Sequence, residues 1–537
     1  MQKDFRVSLT ALSILVGLVL LIACANVANL MTAQAASRAR EMALRVSIGA
    51  GPGRLVQLVL VEGTLLAVCA AAIGAVFAWW SAPFVAARIN PPDNPIQLSL
   101  PADWRVVGFG FALTLGVTLL FGLAPALRAS AVQPASVLKG GDRPHSRRRL
   151  MHFLVGVQAA FCFLVLLVAG LFVATFDRLS NQPTGFSAER LLTLDAVTAT
   201  DQPQEFWDQV AERLRAVPGV ETVAISDWPL MDGWGFRSNS ISIAGALPTG
   251  EGAWFKDISP GWIGAMRIPF LDGRDFREND TTPGVAIVNQ AFARQYFDGA
   301  NPIGKWFEGT EGYMKGFRFQ IVGLVADARY RYLRQPILPV AYTPFHRSHA
   351  DGRGQAIDRG TFVVRTSGPN PIALASTLRR EVARARPGFR VSNVRTQLSL
   401  KESQTVRERL LAMLALFFAV VALLLAGVGL YGVLDYSVLQ RRREIGIRLA
   451  IGAQAGSIAR VVTVQVFSMV LVGALAGLVL GVASVRYIEA LLYQVRATDW
   501  GILALPSVTI LAAAVVAAVP AVMRAVRIDP VTMLRAE

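Results

Sequence analysis

"RREIGIRLAIGA" runs from Arg442 to Ala453, and "AREMALRVSIGA" runs from Ala39 to Ala50. Aligned from Arg443 and Arg40, the two segments share Arg, Glu, Arg, Ile, Gly and Ala in the same order. Each follows a long apolar run. A repeat of this kind sets the architecture, so its extent decides the fold.

The likeness continues downstream. Another apolar run follows each copy, with small residues at every fourth position: Ala70, Gly74 and Ala78 in the first, Gly473, Gly477 and Gly481 in the second. That spacing lets helix backbones approach closely in a membrane. A short loop then ends in Asp103-Trp104 or in Asp499-Trp500. Trp at the start of a span suits the headgroup region. A third run ends at Pro125 or Pro520. Its flank repeats as Arg128-Ala129 with Pro134 and Leu138, then as Arg524-Ala525 with Pro530 and Leu534. The unit is three spans with a basic segment between the first two.

Composition agrees. Of 537 residues, 53% are hydrophobic and only 17% charged, against about 25% charged in a soluble domain. A helix needs roughly 18 or more apolar residues to cross a bilayer. Seven runs qualify: Leu9–Met31, Leu55–Ala78, Val106–Leu127, Phe153–Phe176, Leu410–Val433, Val461–Val485 and Ile502–Met523. The first is too long for a signal-peptide core, lacks a clear small-residue cleavage site and is followed by more membrane.

The net charge of +16 invites a nucleic-acid reading, but its placement argues against one. Arg38, Arg40, Arg45 and Arg54 share one loop. Arg143, Arg147, Arg148 and Arg149 share another, and Arg441, Arg442, Arg443 and Arg448 a third. Loops poor in positive charge alternate with them, which is the positive-inside pattern. The basic loops are therefore expected in the cytoplasm. Asp177 to about Gln404 is then one large extracytoplasmic domain. Lys3 and Arg6 sit on the wrong side of this rule and are outvoted. Cys24, Cys69 and Cys162 fall inside spans, so no disulfide framework holds the outer domain.

Copy two has a further span and the outer domain ahead of it, whereas only eight residues precede copy one. The pattern reads as a duplication whose first half lacks its leading span and outer domain. The alternative is that the protein naturally starts there.

Each basic segment reads as a short helix. Glu41 with Arg45, and Glu444 with Arg448, are acid–base pairs four apart in the favoured order. Ile445 and Leu449 share a face, as do Met42 and Val46, and Gly49 and Gly452 stand where glycine ends a helix. An interfacial helix on anionic lipid is the plain reading. Lipid does not require Arg-Glu-x-x-x-Arg with a closing Ile-Gly-Ala twice over, so docking to a cytoplasmic partner is favoured.

These segments, with the small-residue spans and the closing "RAxxxxPxxxL", resemble the FtsX-like permease module of bacterial ABC transporters. "ISPGWIGAMRIPFLDGRDF" (Ile258–Phe276), "VAIVNQAFARQYFDGANPIGK" (Val285–Lys305) and "IVGLVADARYRYLRQPILPVAYTPF" (Ile321–Phe345) resemble the periplasmic core domain of MacB-type permeases. The apolar runs and the repeat give an α-helical membrane protein of about seven transmembrane helices, two three-helix units plus one linking helix, and helix–strand alternation in the outer stretch gives one α+β extracytoplasmic domain. The divisions expected are a first FtsX-like unit at 1–150, a linking helix at 151–176, the core domain at 177–405 and a second unit at 406–537. Within the outer domain, one part would come from residues near 190–275 and 360–400, and a strand-rich insertion from 276–358.

Function follows as an expectation. The chain would be the non-catalytic permease subunit of an ABC transporter in the bacterial inner membrane. It would relay ATP-driven motion of a separate ATPase to the outer domain, for export or extraction of a substrate. A membrane sensor or scaffold is the alternative. The coupling residues implied are Arg40, Glu41, Arg45, Gly49, Arg443, Glu444, Gly446, Arg448 and Gly452. The helix-packing residues are Ala70, Gly74, Ala78, Gly473, Gly477 and Gly481. Copy one departs from the pattern at Met42 and Ala43. Expected partners are membrane lipid, a cytoplasmic ABC ATPase and a periplasmic adaptor or substrate protein, with no nucleic acid. No cofactor is expected on this chain, because ATP would bind the separate subunit.

Catalytic patterns are missing. A phosphate-cradling loop needs G-x-x-x-x-G-K-[ST], and no such string occurs. "GTEGYMKG" near Gly309 reads as a hairpin loop. His346 and His349 have ligand-like spacing but no Cys or acidic cluster beside them. Asp272, Asp275 and Asp280 lack EF-hand spacing and read as a charged turn. Glu62 is the one acid well inside a span. Such acids are functional candidates by default, but Gln465 replaces it in copy two, so it reads as a packing contact.

Overall fold

The computed structural model describes residues 2–37, 52–89, 104–105, 108–116, 144–248, 250–311, 314–348, 353–451, 454–496 and 498–527. The chain divides into two compact units. Leu179–Arg407 form one, and the membrane helices on either side form the other.

In the membrane unit, helix α1 is Gln2–Ser37, α2 is Pro52–Ile89 and α3 is Pro144–Ser180. After the outer domain come α9 (Val406–Gln440), α10 (Arg442–Ala450), α11 (Ala455–Ile488) and α12 (Trp500–Val526). All but α10 are long and apolar enough to span a bilayer, giving 6 candidate spans among the described residues. Most of the expected third span, Val106–Leu127, lies outside those residues, and 108–116 is helical. Helix α3 is the hub of the bundle. Its Cys162, Phe163, Val165, Leu167 and Leu171 are buried with Ala415, Ala419 and Ala422 of α9 and Ala514 and Ala521 of α12. Lipid tails are as apolar as leucine, so this bundle is held by fit rather than by exclusion from water.

The outer unit is one mixed sheet with helices. Its elements run β1 (Leu191–Gln202), α4 (Gln204–Arg215), β2 (Val220–Ser226), β3 (Phe236–Arg237), β4 (Ile241–Ile243) and β5 (Trp254–Ile258). Next come α5 (Trp262–Met266), β6 (Phe270–Gly273), β7 (Val285–Asn289), α6 (Gln290–Phe297), β8 (Trp306–Gly309) and β9 (Arg318–Val325). The last are β10 (Val340–Pro344), β11 (Ile357–Thr366), α7 (Ala375–Ala385), β12 (Phe389–Thr396) and α8 (Gln397–Ser403). The strand order is β12-β1-β11-β2-β5-β10-β7-β9-β8-β4, with β3 beside β5 and β6 beside β9.

Two cores share this sheet. One lies under α4 and α7, where Trp207 meets Phe389, Phe362 and Phe345 with ring centroids 4.7, 5.7 and 6.0 Å away. Phe206, Val210, Leu214 and Val217 stand three or four apart, the spacing of one helical face, and they fall on α4 and the turn after it. Its largest buried side chain is Trp207, one residue off the stripe. The second core gathers Phe255, Phe292, Phe307 and Phe319. It begins earlier than the expected insertion at 276. Ile241 is fully buried in it, and β4 pairs antiparallel with β8. The two parts also do not separate, because β5 pairs with both β2 and β10.

Candidate functional site

At the cytoplasmic end, α10 starts almost directly after α9. The Ile445 amide donates to the Arg441 carbonyl at 2.9 Å, carrying the chain across the join. Ile445 and Gly446 are buried, so this side of α10 faces the protein. The opposite side carries Glu444 and Arg448, ion-paired at 2.5 Å and both about half exposed. Such an exposed pair is worth roughly 0.3–0.5 kcal/mol, so it shapes a surface more than it stabilises a fold. Beside it are the exposed Ile447 and Ile451, four residues apart. The sequence reading put the apolar face at Ile445 and Leu449 and missed this outward pair. Its four-residue spacing was the available signal. Of Arg443 and Leu449 only the backbone is described. Arg40, Glu41, Arg45, Gly49 and Gly452 lie outside the described residues. Next to the α9 end, Asp435 accepts from Arg524 of α12 at 2.6 Å. The repeated "RA" flank is thus tied to α9.

The two small-residue stripes have different surroundings. A Cβ on Gly477 would lie 2.6 Å from the Ala160 carbonyl oxygen of α3. On Gly473 it would strike the Gly156 carbonyl, and on Gly481 the Leu167 side chain. Helices α11 and α3 therefore touch backbone to backbone, which only glycine allows. On α2, by contrast, Ala70, Gly74 and Ala78 are exposed, and among the described residues a Cβ on Gly74 would meet nothing within 4 Å. Glu62 also lies on the exposed surface of α2.

The outer domain hides a charge network. Lys256 of β5 is fully buried, and its Nζ donates to Asp227 Oδ1 at 2.7 Å and to the Trp228 carbonyl. It also lies 5.3 Å from the Trp228 ring and 5.5 Å from the Trp262 ring. Asp257 accepts from Thr343 Oγ1 at 2.5 Å and from Arg347 Nε at 3.0 Å. Burial pushes the Asp227 carboxyl up and the Lys256 ammonium down, while their mutual attraction opposes both shifts. A cavity of about 310 Å³ adjoins the two aspartates, with Trp228, Phe236, Phe317 and Arg347 in its wall. Among the described residues Arg365 is the other buried cation. Its guanidinium donates to the Ala265, Glu189 and Ser187 carbonyls, and burial lowers it to about 10.

The remaining sequence candidates have ordinary roles. His346 Nε2 lies 3.1 Å from Asp208 Oδ2 of α4. That hydrogen bond raises the imidazole above its usual value of 6.5. His349 lies outside the described residues. Asp280 pairs with Arg274 at 2.7 Å, Asp275 accepts from the Gly261 and Phe276 amides, and Asp272 accepts from Asn301. Among the described residues no group of His, Cys, Asp and Glu could hold a metal ion. The "GTEGYMKG" stretch joins β8 to the antiparallel β9, with the Gly309 amide donating to the Phe317 carbonyl at 3.0 Å.

Two family models match. The FtsX-like permease C-terminal model matches twice, at residues 13–134 and 416–530, and the MacB-like periplasmic core domain model matches 158–382 between them. This chain is an FtsX-like, MacB-type permease. It is a multi-pass inner-membrane protein with an extracytoplasmic domain. The permease is 26% identical to the macrolide export ATP-binding/permease protein MacB of Marinobacter nauticus, over 42% of this chain and 35% of that protein's length. It is 22% identical to the uncharacterized ABC transporter permease YknZ of Bacillus subtilis, over 53% of this chain and 70% of that one. Among solved structures it is similar to the periplasmic region of MacB from Actinobacillus actinomycetemcomitans. There the identity is 13% over 42% of this chain and 96% of that one, with a TM-score of 0.30.

Proposed function

We propose that this permease is the non-catalytic membrane subunit of an ABC transporter and transmits force rather than forming a pore. A separate cytoplasmic ATPase closes and opens on ATP. Its motion enters through α10, passes along the close-packed α3 and α11, and moves the outer domain against a periplasmic substrate or adaptor. The observation that carries this reading is the outward face of α10. Glu444, Ile447, Arg448 and Ile451 there combine a fixed charge pair with exposed apolar surface. Such a mixed patch suits a protein groove, where an amphipathic helix is read through anchors three and four residues apart.

The test is co-purification with candidate ATPases, followed by an ATP hydrolysis assay in nanodiscs. Wild-type permease should alter the partner's turnover. Glu444→Lys sets a like charge four residues before Arg448 and should abolish that effect without impairing membrane insertion. Robust ATP hydrolysis by the purified chain alone would overturn the non-catalytic reading. Full coupling in Glu444→Lys and in the Ile447→Asp, Ile451→Asp pair would overturn the docking reading and leave a sensor or scaffold.

A further inference from the structure

Three amide-bearing groups meet inside the membrane unit. Asn26 of α1 donates from Nδ2 to the Leu425 carbonyl of α9 at 2.7 Å. Gln158 of α3 donates from Nε2 to Asn26 Oδ1 at 2.9 Å and to the same Leu425 carbonyl at 3.0 Å. Asn26 is 4% exposed and Gln158 2%. Side chains this polar are rare in apolar spans and have functional reasons when they occur. The Asn26 amide fits because residue 429 is glycine. A Cβ there would collide with Asn26 Oδ1 and come within 2.8 Å of Gln158 Nε2.

The repeat gives this contact its meaning. In the alignment from Arg40 and Arg443, Asn26 and Gly429 are the same position of the two copies. Like positions meet where two related units pack about a two-fold axis. Identical copies would fill this place badly. Two asparagines would collide, and two glycines would leave a gap with no amide. Asparagine on one copy against glycine on the other is complementary only when the copies pair with each other. The same divergence recurs a turn later, where Asn29, itself buried, is the equivalent of Gly432. A lone polar contact in an apolar interface is known to fix which helices pair and in which register.

We propose that the two permease copies pair in cis through the Asn26–Gln158–Gly429 node, so that one chain supplies both halves of the permease.

The full chain with Cys24, Cys69 and Cys162 replaced by alanine provides the test. Asn26→Cys with Gly429→Cys, oxidised in native membranes with a membrane-permeant oxidant, should form a disulfide within one chain. Two differently tagged chains, one with Asn26→Cys and one with Gly429→Cys, should form none between them. A mixed disulfide at the mass of two chains would overturn the proposal, as would the absence of any disulfide in the folded double variant. A second set guards against misfolding. Gly429→Asn alone should lose the monodisperse peak in size-exclusion chromatography, and adding Asn26→Gly should restore it. A monodisperse Gly429→Asn, or an exchange no better than Gly429→Asn alone, would sink the idea. None of these readouts needs an ATPase, so a wrong coupling reading would leave them unaffected.

Discussion

The membrane unit and the outer unit are stabilised by opposite means. In the membrane, α11 and α3 lie so close that glycine backbones nearly touch, and the contacts are apolar. In the outer domain, a fully buried lysine lies between two indole rings and a carboxylate. The first arrangement depends on shape and is indifferent to protons. The second depends on charge and responds to them. The lesson is that the most sensitive residues of the two units are of opposite types: the smallest side chains in one, the longest cation in the other.

The largest test of this contrast is Lys256→Met. It leaves Asp227 buried without its cation, and breaking such a pair typically costs about 3–5 kcal/mol. The expected result is unfolding of the outer domain at lower temperature, followed by proteolysis of residues 179–407 while the spans stay protected. Adding Asp227→Leu should recover most of the loss. No recovery would mean that the charge itself is not what matters.

Gly477→Leu comes next. Overpacking of this kind typically costs about 1–3 kcal/mol. It should lower the melting point of the solubilised bundle and leave outer-domain proteolysis unchanged. A wild-type melting point would show that α11 and α3 are not in close contact.

The third test is pH. The hydrogen bond to Asp208 raises the folded His346 value, so its stabilisation is complete below the ordinary 6.5 and is lost as pH rises through the folded value. Outer-domain melting should therefore fall as pH rises through the folded His346 value, and His346→Gln should flatten that slope. A bundle melting point that follows the same curve would remove the contrast. The smallest effect is expected for Gly74→Leu on the exposed α2 stripe. Surface changes away from special features stay within about 0.5 kcal/mol. A loss equal to that of Gly477→Leu would mean that this stripe is covered too.

Local patterns were legible in the sequence. Apolar run length gave the described spans, and four-residue spacing gave the α4 face. Arg318–Asp327 and Thr361–Thr366 are β-branched runs bounded by turn residues, the pattern of a strand, and they are β9 and most of β11. Small-residue spacing marked both stripes alike, yet among the described residues only one is in close contact. That depends on α3, which lies hundreds of residues before α11 in sequence. The charge network was hidden for the same reason. "WFKDI" reads as an ordinary strand, and nothing near it announces Asp227 or Arg347 as partners. Asn26 gives no signal either, because only the fold sets it against Gly429.

The strand order has a mechanical consequence. The outer domain is entered through β1, after α3, and left through β12 and α8, before α9. These two strands are neighbours at one edge of the sheet. Their pairing carries a bulge at Asp195, where Arg395 bridges Asp195 and Asp232 at 2.9 and 2.8 Å. Every other strand is joined to that edge through hydrogen-bonded neighbours, with further register shifts between β1 and β11 and between β11 and β2. Any relative movement of β1 and β12 would thus be met first at that ionic contact, before it reached a strand further along the plate.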